Sequence, residues 1–289
     1  MKKTIGIALA SIALLASCAK EEYQPETLTN KERMNQLVIQ DPLVWNSLVN
    51  RLIDTDSLGS TLKSGSTGIN YAEYPSKTKY YYALFEDLYP SQGDYDFNDV
   101  VLETKLFLAN LKGDFMGYTQ SKVFNRGGSL KTRIGLMFYS FDGKKTFTRI
   151  PNEQITVEGN PLNSEDSYTL DLPNEGTAFT INFKIVKGKE TVKYLWINYF
   201  LIIETGGQTH EIHSSGFAPA NVWKFEIPRR EYLTENNLPW GLEIESESFF
   251  VPVEKTLILD AYPEFRVWAE SNGTTNSSWF RNPDKKKVK

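Results

Sequence analysis

The 289-residue sequence is short of the residues that staple or catalyse: it holds one cysteine, Cys18, and two histidines, His210 and His213. A single cysteine excludes an intramolecular disulfide framework. HExxH, GxSxG and phosphate-cradling glycine loops are all missing, which removes the usual metalloprotease, serine-hydrolase and nucleotide signatures. A glycoside hydrolase needs only two carboxylates that can lie far apart in sequence, so that class stays open. The formal net charge is −4, with 32 basic against 36 acidic residues. No long block of one sign occurs, and nothing in this balance favours nucleic acid. The apolar stretch at residues 5–16 is shorter than the roughly 20 residues a membrane span requires. Aromatic residues, in contrast, are plentiful: 17 Phe, 15 Tyr and 6 Trp favour β structure.

Lys2 and Lys3 followed by that apolar stretch and then small residues have the layout of a secretory signal over residues 1–17. The end of it, Leu15-Ala16-Ser17-Cys18, resembles a bacterial lipobox, which implies cleavage before Cys18 and acylation of that residue as a membrane anchor. Two or three acyl chains at about 0.8 kcal/mol per buried methylene make such an anchor lasting. The alternative is a plain cleaved signal with a stray thiol. Lys20, Glu21 and Glu22 resemble the export signal of surface lipoproteins in Bacteroidetes; the resemblance implies an outer-membrane protein facing the exterior, the alternative being a periplasmic one on an ordinary polar tether.

Residues 18–30 read as tether. Asn30 is placed to cap a helix running to about Gln40, and Asp41-Pro42 to open a second one reaching Ile53, giving a helical segment at 31–53. Residues 54–70 are rich in Gly, Ser and Thr and read as a flexible linker; Asp54 and Asp56 there lack further acids at ligand spacing. From Tyr71 the apolar pattern takes period two. Strands are expected at 80–85 and 100–108. Asp142-Gly143 predicts a hairpin between 130–141 and 145–150, Lys187-Gly188-Lys189 a second between 177–186 and 190–204, and Gly206-Gly207 a turn into 208–212. A late helix is expected over 261–271, capped by Asp260, lying across one end of the domain. Successive hairpins point to a mainly β fold, an antiparallel β-sandwich of jelly-roll type over residues 71–283, followed by a basic tail at 284–289.

Within this frame the stretch Gly93-Asp94-Tyr95-Asp96-Phe97-Asn98-Asp99-Val100-Val101 stands out. Asp94, Asp96 and Asn98 hold the first, third and fifth places of a calcium loop, and hard cations take six to eight oxygens. Asp99 follows, and Glu86 and Asp87 lie near enough in sequence to complete the shell. Position 6 is Asp99 rather than Gly and position 12 is Lys105 rather than Glu, so an EF-hand is rejected. Magnesium suits the loop less, since it keeps waters and takes fewer carboxylates. The alternative is Asp and Asn side chains closing Asx turns without metal. His210 and His213 fall on opposite faces of a strand, against a shared zinc, and read as strand-end side chains with backbone partners. Tyr71, Tyr74 and Trp279 are candidate sugar-stacking rings, though such rings are more often simply packed.

Residues 85–101, reading FEDLYPSQGDYDFNDVV, resemble the signature of the LruC-domain family, secreted or lipid-anchored bacterial proteins common in Bacteroidetes. His210-Glu211-Ile212-His213 with Gly216-Phe217, Asn237-Leu238-Pro239-Trp240, and Ala261-Tyr262-Pro263 through Gly273 extend the resemblance; Ser214-Ser215 departs from it, where an apolar-Pro step is usual. The resemblance implies a β-rich extracellular domain and no established activity. The expectation for the whole is a membrane-anchored, calcium-stiffened binding or adhesion module with a glycan or protein ligand. A surface-appendage component and a glycan-active enzyme are the alternatives.

Overall fold

The computed structural model describes residues 28–46, 52–58, 69, 71–128, 130–162, 167–186, 188 and 192–289. Cys18 and the leader lie outside the described residues. Strands are numbered in chain order. The first sheet contains β1 (Ile53–Asp54), β6 (Lys131–Phe141), β7 (Thr146–Arg149), β10 (Tyr168–Asp171), β12 (Tyr194–Thr205), β13 (Gln208–Ile212) and β14 (Lys224–Glu226). Its order is β1-β12-β6-β7-β14, with β10 also paired to β6 and β13 to β12. The second contains β2 (Ala72–Tyr74), β3 (Tyr80–Phe85), β4 (Val100–Leu111), β5 (Asp114–Arg126), β8 (Ile155–Val157), β9 (Asn160–Pro161), β11 (Ala178–Ile185) and β15 (Gly241–Ser246). Its order is β15-β3-β4-β5-β11-β8-β9, with β2 on β4. All these pairings are antiparallel, and the two sheets form a β-sandwich.

Apolar residues fill three layers rather than one. Between the sheets, Phe85, Val100, Leu102, Phe138, Leu195, Ile197 and Leu201 form the central core. The alternate residues of the same strands face outward and are covered too. Tyr82, Leu84, Val101, Leu242 and Ile244 pack under the N- and C-terminal segments; Tyr139, Trp196, Phe200 and Ile202 pack under residues 217–227. This is why β3 and β12 read as nearly unbroken apolar runs, since a strand buried on both faces has no polar alternation to keep. Each large side chain so enclosed contributes about 2–3 kcal/mol.

The terminal segments are where structure and expectation differ. Helix α1 spans Asn30–Asn35 and is capped by Thr29, whose side chain and Glu32 form a capping box. It stops well before Gln40 because Leu37 and Ile39 enter the outer core from extended chain. Pro42–Asn46 is a single 3-10 turn, and the chain at Ile53–Asp54 joins the first sheet as β1 beside β12. Trp45 is fully buried, stacked on Phe265 and donating its indole N–H to Asn237 O at 2.7 Å. This segment is therefore docked on the sandwich rather than standing off it. Of the expected linker, Thr55–Leu58 forms another 3-10 turn with Leu58 buried; residues 59–68 and 70 lie outside the described residues.

The late helix is two short ones, α2 (Ile258–Ala261) and α3 (Phe265–Glu270), separated around Pro263. A proline there removes an amide donor and forces Tyr262 into extended backbone, φ −131° and ψ 91°. Asn272 and Gly273 end α3 with positive φ. The two helices cover the outer face of the second sheet at β15 and β3, not the end of the sandwich. The basic tail is not free: Val251 and Lys289 exchange backbone hydrogen bonds at 3.1 and 2.9 Å, and Val253 N donates to Lys287 O. The Asp142-Gly143 hairpin and the Gly206-Gly207 turn form as expected, whereas the strands flanking 187–189 are not a hairpin. There β11 belongs to the second sheet and β12 to the first, so the chain crosses between layers. No helix among the described residues is long and apolar enough to cross a membrane.

Candidate metal centre

The acidic stretch bridges the end of β3 and the start of β4. Glu86 N donates to Trp240 O at 2.9 Å, tying the end of β3 to residues just before β15. Tyr95 and Phe97 are buried at 2% and 0% exposure and adopt left-handed backbone, φ 59° and 54°. Such a conformation costs roughly 1–2 kcal/mol per non-glycine residue, which burying both rings in the outer core offsets. Ile258 N, from α2, donates to Tyr95 O at 2.9 Å and fixes that anchor. The acids between these rings are thus presented by a loop pinned through its aromatics, not by the pleat of a strand.

Three of the six candidate ligands converge: one oxygen each from Glu86, Asp94 and Asp96 lie within 4.8 Å of one another. Glu86 is buried and accepts from Phe97 N at 2.6 Å and Tyr95 N at 3.3 Å. Asp96 is buried and accepts from Asn98 N at 3.1 Å and Lys255 N at 2.7 Å. Residue 93 must be small, because a Cβ there would stand 2.0 Å from Glu86 Oε2. Burial, reinforced by Asp99, Asp96 and Asp94, pushes the Glu86 carboxyl well above the usual range. Burial and the neighbouring Asp94 push Asp96 up to about 7. No lysine or arginine among the described residues forms an ion pair with any of these carboxylates. Carboxylates packed this closely must share protons or a cation, and an all-oxygen donor set suits calcium.

Asp87 and Asp99 form a second pair. Asp87 N donates to Asp99 Oδ2 at 2.8 Å. Burial raises both, Asp99 to about 7. Asn98 sits between the groups: its Nδ2 donates to Pro252 O at 3.1 Å, and its backbone O accepts from the Asn125 amide and from Gly127 N. Asn125 reaches it because the β4–β5 register shifts between Val101 and Leu102, leaving Phe124 unopposed. The support from Asn125, Gly127, Gly128 and residues 252–255 was not foreseen. The Gly127-Gly128 pair directly after β5 is the sequence feature that marks it.

The other candidates are packed. His213 is fully buried and stacked on Phe200, with Nδ1 2.8 Å from Asn198 Nδ2 and Nε2 3.1 Å from Glu211 Oε2. Its partners are therefore side chains, not the backbone groups expected, and burial lowers its pKa. His210 lies edge-on to Tyr89. Trp279 is fully buried in the outer core, Tyr71 stands edge-on to Tyr118, and Tyr74 packs against the central core. The Asp54 carboxylate accepts from Asp56 N at 3.0 Å, an Asx turn. An exposed ring overlooked in the sequence is Trp223, 40% accessible, on the wall of a cleft of about 820 Å3 beside β7 and β14. The Arg149 guanidinium lies 4.5 Å from its ring centroid, held by Ala220 O and Asn152 Oδ1.

No curated protein matches the sequence. Among solved structures the fold is similar to a crystal structure described as a "Putative lipoprotein from Bacteroides ovatus", with TM-score 0.51 and 17% identity over 78% of each chain. At that identity the likeness concerns the fold. Residues 121–280, from within β5 through α3 and beyond, match the model of a family described as a domain of unknown function, and the acidic loop lies before this segment. That match covers more than half of the sequence, and the chain belongs to the DUF4842 family.

Proposed function

We propose that the chain is a lipid-anchored protein of the bacterial outer surface whose β-sandwich, stiffened by calcium at the acidic loop, binds a glycan without catalysis. The Trp223 cleft carries the binding half of this reading. An indole fixed by a buried guanidinium offers a rigid apolar plane, and Ser140, Thr148, Glu153, Gln154 and Lys224 surround it with hydrogen-bonding groups. Oriented polar groups around an apolar plane are the usual make-up of a small-ligand site. Glu153 is the one acid among the described residues lining it. A two-carboxylate hydrolase would need a facing partner. The calcium half rests on Glu86, Asp94 and Asp96; the bonds of Glu86 and Asp96 to backbone amides favour a bracing role over chemistry. The lipobox-like Leu15 to Cys18 and the lipoprotein description of the similar structure favour the anchor, and the LruC-domain resemblance favours an exterior-facing domain.

A glycan array probed with the protein from Ala19 onward, with calcium and with chelator, tests the reading. Specific glycans retained by the parent and lost by Trp223→Ala are expected. An array with no binders, or binders indifferent to Trp223, contradicts it; a protein ligand captured through Trp223 would change the class of ligand.

A further inference from the structure

We propose that the acidic loop holds two divalent cations: one on Glu86, Asp94 and Asp96, and a second on Asp87, Asp99 and the side-chain carbonyl of Asn98. This rests on the reading of the loop as a calcium centre and concerns how many ions it takes. Oxygens bound to one calcium at 2.3–2.6 Å lie no more than about 5 Å apart. The mutual 4.8 Å grouping of acidic oxygens stops at Glu86, Asp94 and Asp96; neither Asp87 nor Asp99 joins it. Asp87 N instead donates to the Asp99 carboxylate, and no lysine or arginine among the described residues forms an ion pair with either side chain.

The pointer to a ligand there is Asn98. Its side chain is 1% exposed, and its Oδ1 is buried with no hydrogen-bond partner. The amide cannot be turned round to relieve this, because Nδ2 is committed to Pro252 O. Leaving a buried carbonyl oxygen without a partner is costly, and a cation held by the adjoining Asp99 would supply one. The surroundings keep the space open. A Cβ on Gly127 would stand 2.6 Å from Asn98 Oδ1, and one on Gly128 would stand 2.1 Å from Asp87 Oδ2 and 3.4 Å from Asp99 Cβ. Both glycines are anchored by amide bonds to Asp99 O, at 2.9 and 3.2 Å. Two adjacent residues without side chains thus border Asn98 Oδ1, the Asp87 carboxylate and the Asp99 Cβ. Two carboxylates and an amide carbonyl, completed by water, form a calcium-type donor set.

Calorimetric titration of the full chain with calcium chloride at pH 7.5 reads the number directly. Two equivalents are expected for the parent. Glu86→Gln and Asp99→Asn should each leave one, and Gly128→Ala, which crowds only the second position, should leave one as well. One equivalent in the parent, lost in Glu86→Gln but kept in Asp99→Asn, would overturn the proposal in favour of a proton shared by Asp87 and Asp99. One equivalent lost in both variants would mean a single shared ion. No binding at all would reject the calcium reading itself. The parent stoichiometry decides the matter even if a variant fails to fold.

Discussion

Glu86, Asp94 and Asp96 face one another at the mouth of β4, with backbone amides steadying Glu86 and Asp96, while a second polar cluster, around His213, carries donors of its own. In that cluster Asn198 of β12 meets the imidazole at 2.8 Å, and Glu211 takes the other ring nitrogen and Ala220 N. Ser214 donates to Glu243 of β15 at 2.9 Å, joining a strand of each sheet. Both clusters are largely buried and both bring Asp or Glu together with Asn. The difference lies in donors: the His213 seam brings its own, whereas the loop sets carboxylate against carboxylate. A buried network that supplies donors to its acceptors helps to specify a fold; one with an excess of like charge requires protons or a cation.

The comparison breaks most sharply with metal. Saturating calcium at about 100 times its dissociation constant adds about 2.7 kcal/mol, or roughly 5–10 °C in melting temperature for a chain of this size. Chelator should remove it, and scanning calorimetry reads the change. Next, His213→Leu should cost about 1–3 kcal/mol in urea unfolding by stranding Asn198 and Glu211, and calcium should leave that loss unchanged. Asp96→Asn should act in the opposite sense in chelator, raising the melting temperature at pH 8 by about 3 °C, because it removes a repelling charge, while weakening calcium binding. The smallest effect belongs to Trp223→Ala, outside both clusters, which should cost less than about 1 kcal/mol and yet abolish glycan retention.

The two clusters also titrate in opposite directions. Asp96 and Asp99 hold their protons to about pH 7 in the fold and to about pH 4 in the unfolded chain, so the folded state binds more protons between those values. Without metal, their contribution to stability falls as pH rises from about 4 through about 7. His213 is depressed below its unfolded value of about 6.5. The unfolded chain then binds the extra proton, and stability falls as pH drops below about 6.5. His213→Leu should remove the acid-side loss, and Asp96→Asn should flatten the decline toward neutral pH.

Much of this architecture was legible because local chemistry and burial agreed. Tyr80–Phe85 and the Asp142-Gly143 hairpin were readable, and the acidic loop declared its oxygen donors through spacing alone. What was lost were choices between two burials. A turn at 187–189 says that the chain reverses, but not whether β12 returns beside β11 or in the facing sheet, since either buries its apolar residues. Helical spacing at Val44 and Trp45 fitted a longer helix, yet docking on Phe265 and Trp268 is met by one 3-10 turn. Pro263 was a visible helix breaker that the apolar stripe around it masked. Lys287 and Lys289 advertise solvent through their side chains while their backbone pairs with Val251 and Val253. The long-range supports of the loop, Asn125 and Lys255, carry no local signal at all.

The central claim is that the acidic loop is a cation centre, and calorimetric melting of the full chain at pH 5, 6, 7 and 8, in chelator and in calcium, tests it most directly. Chelated protein should lose melting temperature from pH 6 to pH 8, and calcium should restore it by a margin that widens with pH as Asp96 and Asp99 ionise. Melting curves that coincide with and without calcium at pH 8 would contradict the account.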